Sequence, residues 1–332
     1  MTNVVGMAAT PAPSDCLLIG DAASTLLQPS DKVPPVTQAV LASAFRAYAA
    51  ATPAVPAVLR GVLRARYPLG TRLWHDHYAF RTFGVPGLGI ESLGSVLVQL
   101  GYERQPDELT FPKKKLTAAW YAPSDKSLYD LGLPRIFVSE LQVHKLSPEA
   151  QAVIESYIAQ FKANPLQPAT ALGALLTRTL PWATPVASDY NALLEESEYA
   201  AWTLAHGYGL NHSTVSVHRL PAPAGQSAPL GVAEFTEHVA SAGLTLNKEG
   251  GVIKSSPDGL LLQSSTVSDS VRYAFRCGIV ADIAGSYYEF AERRPMQPGV
   301  DVTGETQRRD GFEVGNADKI FMSTSAVQQT DK

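Results

Sequence analysis

Ten residues, Trp74-His75-Asp76-His77-Tyr78-Ala79-Phe80-Arg81-Thr82-Phe83, constrain this chain more than any other stretch. Aromatic and β-branched side chains crowd it, and Gly84, Pro86 and Gly87 close it, which is the pattern of a strand. Side chains alternate along a strand, so His77, Ala79 and Arg81 share one face while Tyr78, Phe80 and Thr82 take the other. One face therefore offers an imidazole, a small spacer and a guanidinium, and the other is packing surface. A metal ligand and an anion clamp can stand side by side in this way. By the same rule His75 falls on the His77 face, either supporting a ligand or lying exposed at the strand's start.

The rest of the chain is consistent with an ordinary globular protein. At 332 residues it can form one large domain or two coupled halves, and 45% hydrophobic against 17% charged residues gives a sizeable core. The net charge is −4, and Lys113-Lys114-Lys115 is the only basic run, which reads as a solvated turn. Nucleic acid is therefore not an expected partner. No apolar run approaches the roughly 18–20 residues a bilayer span needs, so no membrane segment is expected. Two cysteines, Cys16 and Cys277, in so long a chain point to a reducing compartment and ordinary burial. Residues 1–35 are Ala/Ser/Pro-rich, without Arg, and read as a loosely ordered tail, with the remnant of a targeting segment as one reading.

In chain order, Val36–Tyr67 reads as two helices broken around Pro53 and Pro56. A helix is predicted over Gly89–Gly101, strands from Leu116 and over Leu133–Val143, and a helix from Ser147-Pro148-Glu149 to about Lys162. Asn164–Pro185, interrupted by prolines, reads as a surface wrap. Asp189–His206 has the apolar spacing of one amphipathic helix. Leu210–Leu220 alternates as a strand, Pro221–Pro229 is a linker, and Val232–Ser241 is a helix. Leu244–Ser265 reads as paired strands, Val271–Arg276 and Ser286–Arg293 as the last strands, and the remainder as turn-rich. This order gives an α+β fold.

Of seven histidines, none lies in an HExxH motif, and no CxxC, Walker or GxGxxG pattern is present. His77, His212 and Glu289 remain on strand-like segments. Two imidazoles and a carboxylate with open positions form the ligand set of non-haem Fe(II) oxygenases, although scattered His and Glu in any enzyme-sized chain can be assembled into such a triad. Glu289 stands between aromatics and would be costly to bury without a cation; the bland reading turns it to solvent. Arg81 can hold a substrate carboxylate or an internal salt bridge. His218 lies too far along its strand to join His212 on one ion and reads as a surface residue. His144, His206 and His238 read as structural.

Seven stretches taken together carry a resemblance: DHYAFRTFG (Asp76–Gly84), LPRIFVSEL (Leu133–Leu141), SEYAAW (Ser197–Trp202), LNHSTV (Leu210–Val215), LLQSST (Leu261–Thr266), YYEFAER (Tyr287–Arg293) and GFEVGNADKIF (Gly311–Phe321). In this order they resemble the 2-oxoadipate dioxygenase/decarboxylase family, the hydroxyglutarate synthases, in its plant-like branch. The resemblance implies a curved sheet like that of the vicinal oxygen chelate fold, built of paired βαβββ modules with added helices. It places the family's metal ligands on His77, His212 and Glu289, its carboxylate-holding arginine on Arg81, and Fe(II) as cofactor. The implied reaction takes a 2-oxo dicarboxylic acid and O2, converting 2-oxoadipate to 2-hydroxyglutarate and CO2 in lysine catabolism.

The expected organisation is a tail over 1–35, a single catalytic domain of two coupled halves over 36–325, and a C-terminal tail over 326–332. The expected location is the cytoplasm, with the plastid as alternative. Rival readings are a redox-neutral metal-dependent isomerase or lyase on the same fold, and a non-catalytic metabolite-binding protein.

Overall fold

The computed structural model describes residues 12–24, 30–68, 70–297, 299, 302 and 304–325. Much of the predicted N-terminal tail and all of residues 326–332 lie outside the described residues. Part of that tail is nevertheless a helix, α1 (Pro13–Ser24), which buries Ile19, Ala22 and Ala23 and packs on α2 (Pro35–Ala50). Asp15 of α1 also pairs with Arg60, beyond the end of α2. The prolines break the next segment as predicted: α3 (Ala54–Val58) runs into a π-helical turn, Leu59–Arg64.

A nine-stranded sheet follows. Its strands are β1 (His75–Phe83), β2 (Tyr102–Arg104), β3 (Leu109–Phe111), β4 (Leu116–Pro123), β5 (Arg135–Leu141), β6 (His212–Ser216), β7 (Lys254–Ser255), β8 (Leu261–Ser265) and, after a two-stranded hairpin of β9 (Ser270–Ala274) and β10 (Val280–Ala284), β11 (Tyr287–Arg293). The order is β2-β4-β5-β1-β6-β11-β8-β7, with β3 beside β4. β1 runs parallel to β5, β6 runs parallel to β11, and β1 meets β6 antiparallel at the centre. Each parallel pair opens and closes one module. The first, β1 to β5, includes helix α4 (Gly89–Gln99). The second, β6 to β11, includes the helix predicted over Val232–Ser241. These are the paired βαβββ modules that the resemblance implied.

Between the modules lie α5 (Pro148–Ile158), capped by Ser147 as predicted, then α6 (Gln160–Ala163) and α7 (Pro168–Thr177). Helix α7 corrects the surface-wrap reading: Pro168 sits at its first turn, where a missing N–H costs nothing, and Ala171, Ala174 and Leu175 are buried. The single helix predicted over Asp189–His206 is two, α8 (Ala187–Glu196) and α9 (Glu198–His206). Ser197 takes an extended conformation and its hydroxyl accepts the Ala200 N–H, capping α9 anew. The break lets α9 lay Tyr199 and Trp202 against Arg81. After α10 (Val232–Ser241), the predicted turn-rich tail instead contains α11 (Val314–Ile320) and a 3-10 turn, Phe321–Thr324.

Every residue of β1 is buried. Tyr78 lies parallel to Phe45 of α2 at 6.5 Å, on the packing face. An irregularity in the β1–β6 pairing between His75 and Tyr78 breaks strict alternation. His75 therefore leaves the His77 face: it packs on Phe45 and Tyr78 and bonds Ser213 Oγ at 2.8 Å, buried rather than exposed or supporting a ligand. Cys16 and Cys277 are not joined in a disulfide and are exposed, against the expected burial. No described helix is long and apolar enough to cross a membrane.

Candidate metal centre

The register across the central strands builds the site in two neighbouring rows. Ala79 pairs with His212, which pairs with Tyr287, while Thr214 pairs with Glu289 one step along. His77 lies two residues before Ala79, so it stands beside Thr214. One atom from each of His77, His212 and Glu289 lies within 4.8 Å of the others. All three are buried, at 2%, 5% and 0% exposure. His212 Nε2 stands 3.2 Å from Glu289 Oε2, and His77 Nε2 stands 3.7 Å from Oε1. The three sequence candidates thus converge, and Glu289 does not turn to solvent.

The pseudo-equivalence of the modules explains why there are three. His77 faces Arg135 on β5 as His212 faces Tyr287 on β11, so the first-module counterpart of Glu289 is Phe137. The position where this equivalence would put a fourth candidate ligand is filled by an aromatic ring that lines the cavity.

Hydrogen bonds prepare these atoms for a cation. His77 Nδ1–H donates to Asp76 Oδ1 at 2.7 Å, and His212 Nδ1–H donates to Asn211 Oδ1 at 3.0 Å, leaving both Nε2 lone pairs directed inward. Thr214 Oγ1 lies 3.0 Å from His77 Nε2. Gln263 Nε2 donates to Glu289 Oε1 at 2.6 Å, and Gln263 is itself held by Asn316 of α11. Glu289 Oε2, buried, receives no hydrogen bond despite its closeness to His212. A buried carboxylate oxygen facing two imidazole lone pairs is what a divalent ion would satisfy. Burial drives His212 down to about 4, against the pull of Glu289, so it is neutral and ligand-ready at pH 7. Burial alone would raise Glu289, but attraction to the proton-bearing forms of the neighbouring His77 and His212 imidazoles, together with the Gln263 donor, holds it below the usual carboxylate range.

Phe137, Tyr287, Phe312, Ile320 and Phe321 line, with the three candidate ligands, a small cavity of about 20 Å³. Phe312 stands edge-on to the His77 ring at 4.9 Å. Phe321 also lines a second cavity of about 310 Å³ that reaches Arg81 and the Lys113–Lys115 turn.

Arg81 is 2% exposed, forms no salt bridge among the described residues, and donates once, from Nη2 to Thr324 Oγ1 at 3.1 Å. Its Nε and Nη1 make no hydrogen bond of good geometry, and against its burial the groups that favour its charge are the Tyr287 and Tyr199 hydroxyls and the Glu198 carboxylate. The rings of Tyr199 and Trp202 lie 4.9 and 5.1 Å from its guanidinium carbon. The internal salt-bridge reading is thereby set aside. His218 also departs from expectation: β6 ends at Ser216, a 3-10 turn follows, and His218 Nε2 meets Glu305 at 3.0 Å in the interior.

Sequence reading missed Asp76, Thr214, Gln263, Phe312 and Asn316. Asp76 had a signal, a carboxylate next to a candidate ligand, but alternation assigned it to the opposite face.

Burial also lowers two histidines outside the triad, His75 and His206, each to about 3, with Arg72 and Arg178 adding to the effect. The unfolded chain takes up these protons near pH 6.5, the folded protein only near 3, so stability falls with pH through that window. Urea unfolding of the metal-free protein should show lower stability at pH 5 than at pH 7. Each such histidine contributes about 2 kcal/mol to the difference. His206→Gln keeps a donor for the Ala284 carbonyl that His206 Nε2 now meets, and should remove one share of the pH dependence. An unchanged pH slope in that variant would refute the assignment.

The comparisons with known proteins fit this architecture. The chain is 44% identical over 323 residues to the rice "2-oxoadipate dioxygenase/decarboxylase, chloroplastic/amyloplastic", covering 93% of this chain and 85% of that protein. It is 45% identical over 267 residues to the Arabidopsis thaliana "2-oxoadipate dioxygenase/decarboxylase, chloroplastic", covering 77% and 70%. The crystal structure of rice hydroxyglutarate synthase in complex with 2-oxoadipate superposes with a TM-score of 0.78 at 39% identity over 99% of both chains. A glyoxalase-superfamily protein from Ralstonia eutropha shares the fold, with a TM-score of 0.64 at 20% identity over 92% of this chain and 100% of that one. The sequence profile of the 2-oxoadipate dioxygenase/decarboxylase family matches residues 40–300, a span that contains both modules and every candidate ligand, and the chain belongs to that family.

Proposed function

We propose that this protein is an Fe(II)-dependent dioxygenase/decarboxylase that converts 2-oxoadipate and O2 to 2-hydroxyglutarate and CO2. His77, His212 and Glu289 are the metal ligands in this reading, and Arg81 holds a substrate carboxylate. The observation that carries it is the pairing of a buried, ligand-ready His-His-Glu group with a buried guanidinium that lacks an anion, both on one face of the sheet. The plant relatives' names supply the substrate, the reaction and a plastid location.

Two imidazoles and a carboxylate suit iron(II), which would supply the redox chemistry and open positions for a 2-oxo acid and O2. The atoms balance without a co-substrate: the six-carbon diacid gains both oxygens of O2 and loses one carbon as CO2, leaving a five-carbon 2-hydroxy diacid. The protein's part is to bind, orient and exclude water. Arg81 leaves Nε and Nη1 unmet on either side of Nη2. A carboxylate would be gripped by one of them together with the second Nη2 hydrogen, a contact that also limits the chain length accepted. Gln263 keeps Glu289 oriented, and the aromatic walls keep bulk water out. Phe321 lines both this cavity and the larger one that reaches Arg81, so a six-carbon diacid held by both would pass beside it.

The test is O2 uptake by anaerobically Fe(II)-loaded protein on adding 2-oxoadipate, with 2-oxoglutarate for comparison. Uptake matched by equal CO2 and 2-hydroxyglutarate is expected, with 2-oxoadipate preferred. No uptake with iron demonstrably bound would overturn the proposal in favour of a redox-neutral isomerase or lyase.

A further inference from the structure

The two imidazoles of the centre are not held alike. His212 leans on a neutral amide, Asn211, at 3.0 Å. His77 leans on a carboxylate, Asp76, at 2.7 Å. That carboxylate is almost wholly buried, and burial would raise it, but Arg293, His77 and Arg135 hold it well below the usual range.

Arg293 on β11 is fully buried and uses its whole guanidinium. Nε and Nη2 grip Asp76 as a fork, at 2.6 and 2.9 Å. Nη1 donates to the carbonyls of Arg309 and Gly311 at 2.9 and 2.8 Å. Gly311 has φ +69°, a conformation in which glycine is unstrained, and the next residue is Phe312, whose ring meets His77. One side chain therefore anchors the carboxylate behind the ligand and the turn that lays an aromatic ring over it. Arg135 approaches Asp76 from β5 at 3.8 Å and joins it to Glu305 and Asp310 in a larger buried ion network.

We propose that Asp76 and Arg293 are positioning residues for the metal centre. Asp76 fixes the His77 ring with its Nε2 turned to the metal position and puts a negative charge behind it, while Arg293 locks both Asp76 and the Arg309–Phe312 turn against that ring. The inference rests on the reading of His77 as a ligand. Carboxylate partners behind ligating histidines raise ligand basicity, and losing one costs about 10- to 100-fold in metal affinity or activity.

The experiment titrates metal-free wild type, Asp76→Asn, Arg293→Lys and Glu305→Gln with Co(II) against a competing chelator, recording the visible ligand-field band, the affinity and the Tm. Asp76→Asn keeps the size of the side chain and an acceptor for His77 but loses the charge. Its affinity should fall about 10- to 100-fold with a shifted band. Arg293→Lys keeps the charge but cannot grip the carboxylate and two carbonyls together, so it should also weaken binding, and it decides the matter if Asp76→Asn does not fold. Glu305→Gln removes a buried charge from the same network without touching His77, and should leave band and affinity close to wild type. Wild-type affinity and band in both the Asp76 and Arg293 variants would overturn the proposal. An equal loss in Glu305→Gln would overturn it too, by showing a general packing effect. Failure of the wild type to bind Co(II) at all would instead sink the ligand reading itself, and this inference with it.

Discussion

Glu289→Ala is expected to lose metal and turnover together. The side chain is buried, supplies the only anionic ligand atoms of the group, and stands within 3.2 Å of His212 and 3.7 Å of His77. Removing it leaves two neutral imidazoles to bind a dication in an apolar cavity, with no anionic ligand to offset the desolvation. Since loss of a partner behind a ligand already costs up to about 100-fold, loss of the ligand itself should cost more than about 100-fold in affinity. Alanine also strands Gln263 Nε2, which now donates to Glu289. Glu289→Gln therefore makes the cleaner companion, since its amide oxygen can accept from Gln263 while the negative charge is gone. His77→Ala and His212→Ala should behave as Glu289→Ala does. Metal content after loading and O2 uptake with 2-oxoadipate are the measurements. A variant at any of the three positions that retains both would not be a ligand variant.

What could be read from the sequence and what could not divides along physical lines. The strand bearing His77 was legible because β-branched and aromatic residues end abruptly at glycine and proline, and the Ser147-Pro148 helix start because a cap has a local signature. The convergence of His77, His212 and Glu289 was not legible from spacing. It follows from strand pairing between distant residues, Ala79 with His212 and Thr214 with Glu289, which only the family resemblance anticipated. Alternation failed at His75 and Asp76 because the ladder between β1 and β6 is irregular there, and a register irregularity leaves no mark in a single sequence. The break at Ser197 was available in principle, since a serine followed by a glutamate can start a helix, but the continuous apolar spacing on either side hid it. Helix α11 is short, exposes Val314 and buries the polar Asn316, so no amphipathic periodicity announced it. Its worth lies in tertiary contacts, Asn316 on Gln263 and Ile320 over the cavity.

Arg81→Met should stabilise the metal-free protein while disabling it. In a fold optimised for stability alone, a buried guanidinium would have an acidic partner. Arg81 has a threonine hydroxyl and the faces of aromatic rings, while Nε and Nη1 go unmet. Each unmet buried donor costs about 1–3 kcal/mol, and burial pushes the Arg81 pKa down, as expected for a charge without compensation. Methionine fills similar volume against Tyr199, Trp202 and Phe321 without that cost, so unfolding free energy should rise by about 1–3 kcal/mol. Losing a buried carboxylate contact should cost about 2–5 kcal/mol in substrate recognition, roughly a 30- to several-thousand-fold drop in kcat/KM, with metal content unchanged. Arg81→Lys keeps the charge and loses the fork, and should fall between the two in kinetics with metal retained. Denaturant melts and steady-state kinetics on the same preparations separate the cases. Destabilisation by methionine with kinetics intact would make Arg81 a structural residue. Stabilisation with the kinetic loss would mean that the strain of an unpaired buried cation persists in the free protein because the anion that relieves it is the substrate.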